Sequence, residues 1–139
     1  MKGIRKIFVL TLMLTLMLAL MVPTFVQAAT WHTTPLSGKN TSSAVSRSFQ
    51  ASRGDIFILW SINIPLGIGT PSGSFTLQEY SNGTWTTIET KNVSTRYPSS
   101  GGTLTWENWD AGLNTFRIVF KSNNAVSSVS GDIHYFLDQ

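Results

Sequence analysis

Beyond residue 28 the chain consists of short apolar runs of period two, separated by clusters of Gly, Asn, Pro and Ser. β-Branched and aromatic residues recur in those runs and no 3.6-residue apolar period is sustained, which predicts strands and excludes a substantial helix. Trp31–Leu36 reads as a first edge strand, with Pro35 near its end, where a missing donor is tolerated. Val45–Gln50 sets Val45, Arg47 and Phe49 against serines, and Ser52-Arg53-Gly54-Asp55 follows as a turn. Ile56–Ile64 is the strongest strand. Ile56, Ile58, Trp60, Ile62 and Ile64 share one parity, while Phe57 and Leu59 occupy the other. Apolar residues on both parities predict a central strand covered on both faces over its first half.

Pro65–Ser74 reads as a Gly/Pro-rich loop, and Phe75–Tyr80 and Thr84–Thr90 then flank Asn82-Gly83, a strong hairpin signal. Arg96–Gly102 reads as a second, flexible loop, Leu104–Trp106 as a short strand and Trp109–Gly112 as an irregular corner. Thr115–Lys121 alternates, with Phe116, Ile118 and Phe120 inward and Arg117 and Lys121 outward. A turn at Ser122-Asn123-Asn124 leads to a last strand, Val126–Leu137, with Gly131 as a candidate bulge. Roughly seven to eight strands at roughly 10–15-residue spacing predict an all-β, single-domain antiparallel β-sandwich of jelly-roll-like form. A closed barrel is the alternative. The absence of an internal repeat argues against a propeller or solenoid.

Two stretches, Gly54-Asp55-Ile56-Phe57-Ile58-Leu59 and Ala111-Gly112-Leu113-Asn114-Thr115-Phe116-Arg117-Ile118-Val119, carry a family rhythm. Over Ser46–Leu137 the chain resembles bacterial pre-peptidase C-terminal-type modules, which are secreted jelly-roll domains. The resemblance implies a fold rather than a function. Where such modules often carry acidic residues near a strand start, this chain has Phe75-Thr76-Leu77-Gln78, so no calcium role is carried over.

The first 28 residues differ in kind. Lys2, Arg5 and Lys6 precede a nearly unbroken apolar run from Ile7 to Val22. Pro23 then breaks the helix and Val26-Gln27-Ala28 gives a small-x-small cleavage pattern. We read residues 1–28 as a signal peptide cleaved near Ala28, and residues 29–139 as one secreted domain. An uncleaved anchor is the rival, because Ile7–Val26 approaches the ~20 residues that span a bilayer. The leader changes the charge picture. The formal net charge is +3, but three of the ten Lys+Arg lie in the leader, leaving seven against seven Asp+Glu. The exported part is therefore formally neutral, and its composition gives no case for nucleic-acid or anionic-membrane binding. A membrane enters only through an uncleaved leader. All four methionines also lie in the leader, and there is no cysteine to bridge the exported domain. Cysteine-free export favours a bacterial source. Asn40-Thr41-Ser42, Asn82-Gly83-Thr84 and Asn92-Val93-Ser94 fit the glycosylation pattern, which an Asn/Ser/Thr-rich chain also produces by chance.

Candidate chemistry is sparse. A two-residue Asn82-Gly83 loop sets Ser81 opposite Thr84, Tyr80 opposite Trp85 and Leu77 opposite Ile88. Phe75, Leu77 and Ile88 then share the core face, and Tyr80, Trp85, Gln78 and Thr87 share the other. Aromatic faces beside amides and hydroxyls suit a saccharide, whose C–H faces stack while its hydroxyls hydrogen-bond. The plainer reading is a cross-strand staple worth about 0.2–1 kcal/mol. Trp106-Glu107-Asn108-Trp109-Asp110 is a second candidate cluster, with Tyr97 in the preceding loop as a further ligand contact. The plainer reading there is one Trp plugging the end of a sandwich and Asp110 holding a turn. His32 and His134, with Asp132, become neighbours if the terminal strands pair. No nucleophile elbow, zinc spacing, acidic calcium run or phosphate loop occurs, so no metal or cofactor is expected. Among carboxylates, only Glu79, Glu89, Glu107 and Asp110 are candidates for a hydrolytic pair. Three readings follow. The first is a non-catalytic binding module for a polysaccharide or cell-wall glycan, using Tyr80, Trp85, Trp106, Trp109 and Tyr97. The others are an extracellular structural or self-associating protein and a secreted toxin of bacteriocin type.

Overall fold

A computed structural model describes residues 30–67, 72–108 and 112–137. The leader and its cleavage site lie outside the described residues. Among the described residues seven strands follow one another: β1 (Thr30–Val45), β2 (Phe49–Ala51), β3 (Ile56–Asn63), β4 (Ser72–Ser81), β5 (Thr84–Ser94), β6 (Ser99–Trp106) and β7 (Asn114–Leu137). All the pairings are antiparallel.

β7 organises the fold. Its first half pairs with β4 on one side, and with β2 and the end of β1 on the other. Its second half pairs with β3 on one side and the long first part of β1 on the other. β5 extends the first half beyond β4, and β6 extends the second beyond β3. The sheet curls so that its two halves face each other. Trp60 of β3 meets Phe75 of β4 at 5.7 Å, and Phe49 of β2 stacks on Tyr135 of β7 at 4.6 Å. This is the expected jelly-roll-like sandwich.

The corner lies where the register of β1 on β7 jumps from Thr41↔Val126 to Ser43↔Lys121. Ser42 of β1 there faces Ser122–Ala125 of β7, so β7 carries the excess length. Polar side chains hold the corner. Thr41 Oγ1 donates to Ser43 O at 2.6 Å and accepts from Ser43 N at 3.1 Å, while Asn123 Oδ1 accepts from Ser72 N at 3.0 Å. Asn40 sits at φ 46, a left-handed value that Asn tolerates better than most residues. Ser122-Asn123-Asn124 is therefore a bend inside one strand, where the sequence predicts a turn between two. The chain does not double back, because both halves of β7 have the same partner, β1.

Burial follows the predicted parity over most of the chain. Phe116, Ile118 and Phe120 point into the core with Ile56, Ile58, Ile62, Phe75 and Leu77. Arg117 and Lys121 lie on the opposite parity. Three expectations need correction. The second face of β3 is not covered by another layer: Leu59 is 48% exposed, and Phe57 is only half-buried beneath Trp31 and His134. Ser99–Gly102 is strand rather than loop, paired from Asn63 to Trp60, and its glycines let the Trp60 backbone and indole approach β6 closely. Val45–Gln50 is not one strand. β1 ends at Val45, and the pairing moves from Val45↔Val119 to Phe49↔Phe116, so one extra residue on this side flips the parity. Phe49 is buried while Val45 stays 49% exposed.

Gly131 pairs in unbroken register with Leu36 and Trp60, so it marks no bulge. It faces the core between Val129 and Ile133, where an added Cβ would lie 2.6 Å from Ile58 Cδ1 and 3.2 Å from the Leu59 carbonyl oxygen. The missing side chain makes room for Ile58. Gly131→Ala should lower stability by about 1–3 kcal/mol through overpacking. Ile58→Val, which removes the δ-carbon, should recover part of that loss. A double-mutant cycle in urea checks the coupling, and strictly additive losses would contradict this packing.

Candidate functional site

The β4–β5 hairpin forms because its two loop residues tolerate positive φ. Asn82 sits at φ 51 and Gly83 at φ 81, the pattern of a type I′ turn whose twist matches the flanking strands. The register near the tip is the one the sequence predicts, with Ser81↔Thr84 and Tyr80↔Trp85. Farther from the tip it slips. Leu77 pairs with Glu89 and Gln78 with Thr87, leaving Ile88 as the extra residue of a bulge. Ile88 thus does not meet Leu77 on the core face and is 49% exposed.

The outward face of this hairpin gathers a compact cluster. Tyr80 and Trp85 lie 5.1 Å apart between ring centroids, inclined at 53°, and Tyr80 is 47% exposed. Arg117 reaches across from β7, placing its guanidinium carbon 4.2 Å from the centre of the Trp85 ring. Its Nε donates to Gln78 Oε1 at 2.8 Å, and Gln78 Nε2 donates to Thr87 Oγ1 at 3.4 Å. Three adjacent strands thus hold two rings, a cation, an amide and a hydroxyl on one face. The rings are inclined rather than coplanar, so the surface is a shallow angle with Tyr80 as its open wall.

The structure separates the other candidates from this cluster. Trp106 is 1% exposed and pairs with Ile56 at the base of the core, so it is a packing residue and not a surface platform. Inward parity along β6, set by pairing to β3, is what buries it. Tyr97 is 54% exposed in the β5–β6 connection, and no contact joins it to Tyr80 or Trp85. Trp109 and Asp110 lie outside the described residues.

The terminal strands do pair, but His32 and His134 point to opposite faces. His32 lies over Tyr135 at 5.9 Å, and His134 stacks on Phe57 at 4.7 Å with its Nδ1 3.4 Å from Thr33 Oγ1. Glu89 and Glu107 line one cleft of about 470 Å³ with Asp55, Lys91 and Thr105, where Lys91 pairs with Glu89 at 3.0 Å. Glu79 is not part of it. Among the described residues no group of three or more His, Asp or Glu side chains is placed to hold a metal ion.

One surface escapes sequence reading. On the outward face of β1, β3 and the second half of β7, Trp31 lies 3.5 Å from Phe136 and 5.3 Å from Phe57 between centroids. Trp31 and Leu59 are each 48% exposed. The signal was present in Phe57 and Leu59, the off-parity residues of β3, but a covered second face explains them equally well until pairing is known.

The fold now has parallels. No protein-family model matches the chain, and no curated protein matches it by sequence. The architecture places it among jelly-roll-like β proteins. The Yersinia pseudotuberculosis-derived mitogen is similar with a TM-score of 0.50 and 12% identity, over 81% of this chain and 91% of the mitogen. The cowpea mosaic virus empty virus-like particle chain is similar with a TM-score of 0.50 and 10% identity, over 83% of this chain and 87% of its own. At such identities the likeness shows the fold alone. The jelly-roll part of the expected resemblance stands, while membership of the pre-peptidase C-terminal family is not shown.

The two aromatic residues Trp106 and Tyr80 should lose very different amounts of stability on truncation. Trp106→Ala should cost about 3–5 kcal/mol, as for a fully buried large side chain. Tyr80→Ala should cost about 0.2–1 kcal/mol, the worth of a cross-strand pair. Urea melts of both variants check this, and equal losses would mean that Tyr80 packs as a core residue.

Proposed function

We propose that this chain is an exported, non-catalytic binding module that takes a polysaccharide or cell-envelope glycan on the outward face of the β4–β5 hairpin. The observation that carries the reading is the Tyr80–Trp85 pair, with Tyr80 half-exposed, set beside Gln78, Thr87 and Arg117 on three paired strands. A saccharide offers flat C–H faces to such rings and hydroxyls to such polar groups, and a site held by strands loses little entropy on binding. Export rests on the basic, apolar and small-residue pattern ending at Ala28. Intrinsic tryptophan fluorescence, followed during titration with a broad panel of soluble polysaccharides and peptidoglycan fragments, tests the reading. We expect quenching or a spectral shift with at least one glycan, abolished by Tyr80→Ala and Trp85→Ala while their melting curves stay near that of the parent. A panel with no response would end it.

A second reading, self-association, has its own observation. The described sheet has four strands paired on one side only, β1, β2, β5 and β6; β2 is three residues long, and β1 and β5 are blunted against edge pairing. β1 carries Pro35, Lys39 and a register break, and β5 carries a bulge at Ile88 and the Glu89–Lys91 ion pair. β6 has none of these. Ser99–Trp106 contains no charge and no proline, runs in unbroken register with β3, and has no other strand partner among the described residues. A neutral edge of this kind accepts the same strand of a second copy without repulsion. Sedimentation at rising concentration should then show reversible dimers, and Thr103→Lys should abolish them. A strictly monomeric profile at millimolar concentration would exclude this reading.

A further inference from the structure

The hairpin face carries a positive charge that a neutral saccharide leaves unanswered. Arg117 is held in place on two sides, by its Nε bond to Gln78 Oε1 at 2.8 Å and by the Trp85 ring 4.2 Å from its guanidinium carbon. Neither contact occupies the two terminal nitrogens. Among the described residues no carboxylate pairs with Arg117, and the ion pair found there joins Lys91 to Glu89. The parity of the strands explains this. Glu79 pairs across from Phe116 and Glu89 across from Leu77, both core-facing positions, so these acids stand on the opposite side of the sheet from Arg117. The outward positions of β4 facing Arg117 and its neighbours are Ser74, Thr76, Gln78 and Tyr80, and Lys121 lies on the same face of β7. A formally neutral domain therefore carries a locally positive sheet face that no acid among the described residues of these strands offsets.

A guanidinium with a fixed plane and a free pair of terminal N–H groups matches the planar, two-oxygen geometry of a carboxylate. Stacking on Trp85 and bonding through Nε settle that plane before the ligand arrives, so little order is lost on binding. The exposed Tyr80 ring stands beside it. Taking the glycan-binding reading as its premise, we propose that this face selects acidic saccharides: the carboxylate of a uronic acid residue takes the terminal nitrogens of Arg117, while the sugar ring packs against Tyr80. Arg117 sets specificity and Tyr80 supplies the contact common to acidic and neutral sugars.

The test compares polygalacturonate and alginate with their fully methyl-esterified forms, which keep the rings and lose the charge, using the exported domain and tryptophan fluorescence or calorimetry. At low salt the acid forms should bind about tenfold or more tightly than the esters, the scale of a charge-assisted hydrogen-bonded pair. The advantage should shrink as salt rises. Arg117→Gln should erase the discrimination, bringing the affinity for the acid forms down to that for the esters. Arg117→Lys should recover only part of it, because an ammonium lacks the planar fork. Equal binding of acids and esters by the parent protein would overturn acid selection and leave the glycan platform standing. No binding of either form, or of any neutral glycan, would remove the platform itself. An Arg117→Gln variant that melts earlier yet keeps its preference for the acids would reduce Arg117 to a packing residue.

Discussion

The structure depends on the pairing of a single strand. β7 runs from Asn114 to Leu137 and hydrogen-bonds to β1, β2, β3 and β4, so every strand except β5 and β6 is placed directly by it. A strand that serves both layers must bend between them, and the excess length at Ser122–Ala125 provides the bend. The bend in turn decides which side chains face inward in each half. Phe116, Ile118 and Phe120 line the first layer, and Val129, Ile133 and Tyr135 the second. Packing of those two sets against each other closes a core without a disulfide, the only option for a chain with no cysteine. β1 and β7 meet across a large sequence separation: Thr33 and His134, 101 positions apart, are in contact. Contacts of that range form late and slowly, so the spine is expected to be completed near the end of folding.

What was legible in the sequence was what is local. The Asn82-Gly83 turn fixes its own geometry through positive φ at two adjacent residues, so the Tyr80–Trp85 pairing follows without reference to the rest of the fold. Strand parity over Phe116–Phe120 is legible for the same reason. Legibility ends where a residue's environment is set by a distant partner. Ile88 falls out of register because β5 carries one more residue than β4 along their pairing, and nothing near Ile88 announces it. Trp106 looks like a loop aromatic until β6 is laid beside β3, which places it against Ile56. Phe57 and Leu59 suggest a covered face, whereas the structure turns them outward beside Trp31 and His134.

The candidate site shows the same division. The aromatic pair is local, but Arg117 belongs to it only through tertiary structure, being 39 positions from Gln78 in sequence. A cluster built by one hairpin and completed by the central spine is better fixed than the hairpin alone, because β4 is held on both sides. The inclined rings and the guanidinium make a surface with direction, one that carries charge as well as shape.

The pairing of Thr30 with Leu137 also has a mechanical meaning. The two ends of the described domain leave it side by side, from neighbouring strands running in opposite directions. A pull applied between those ends peels β1 from β7 one rung at a time, which is a weak arrangement under load. A pull between Thr30 and the hairpin face follows another line, through the bend and across β4, and loads several rungs together. The described domain is therefore easy to unzip from Thr30 and Leu137 and hard to tear from its outer face. Where on the domain a tether is attached sets how much force it bears.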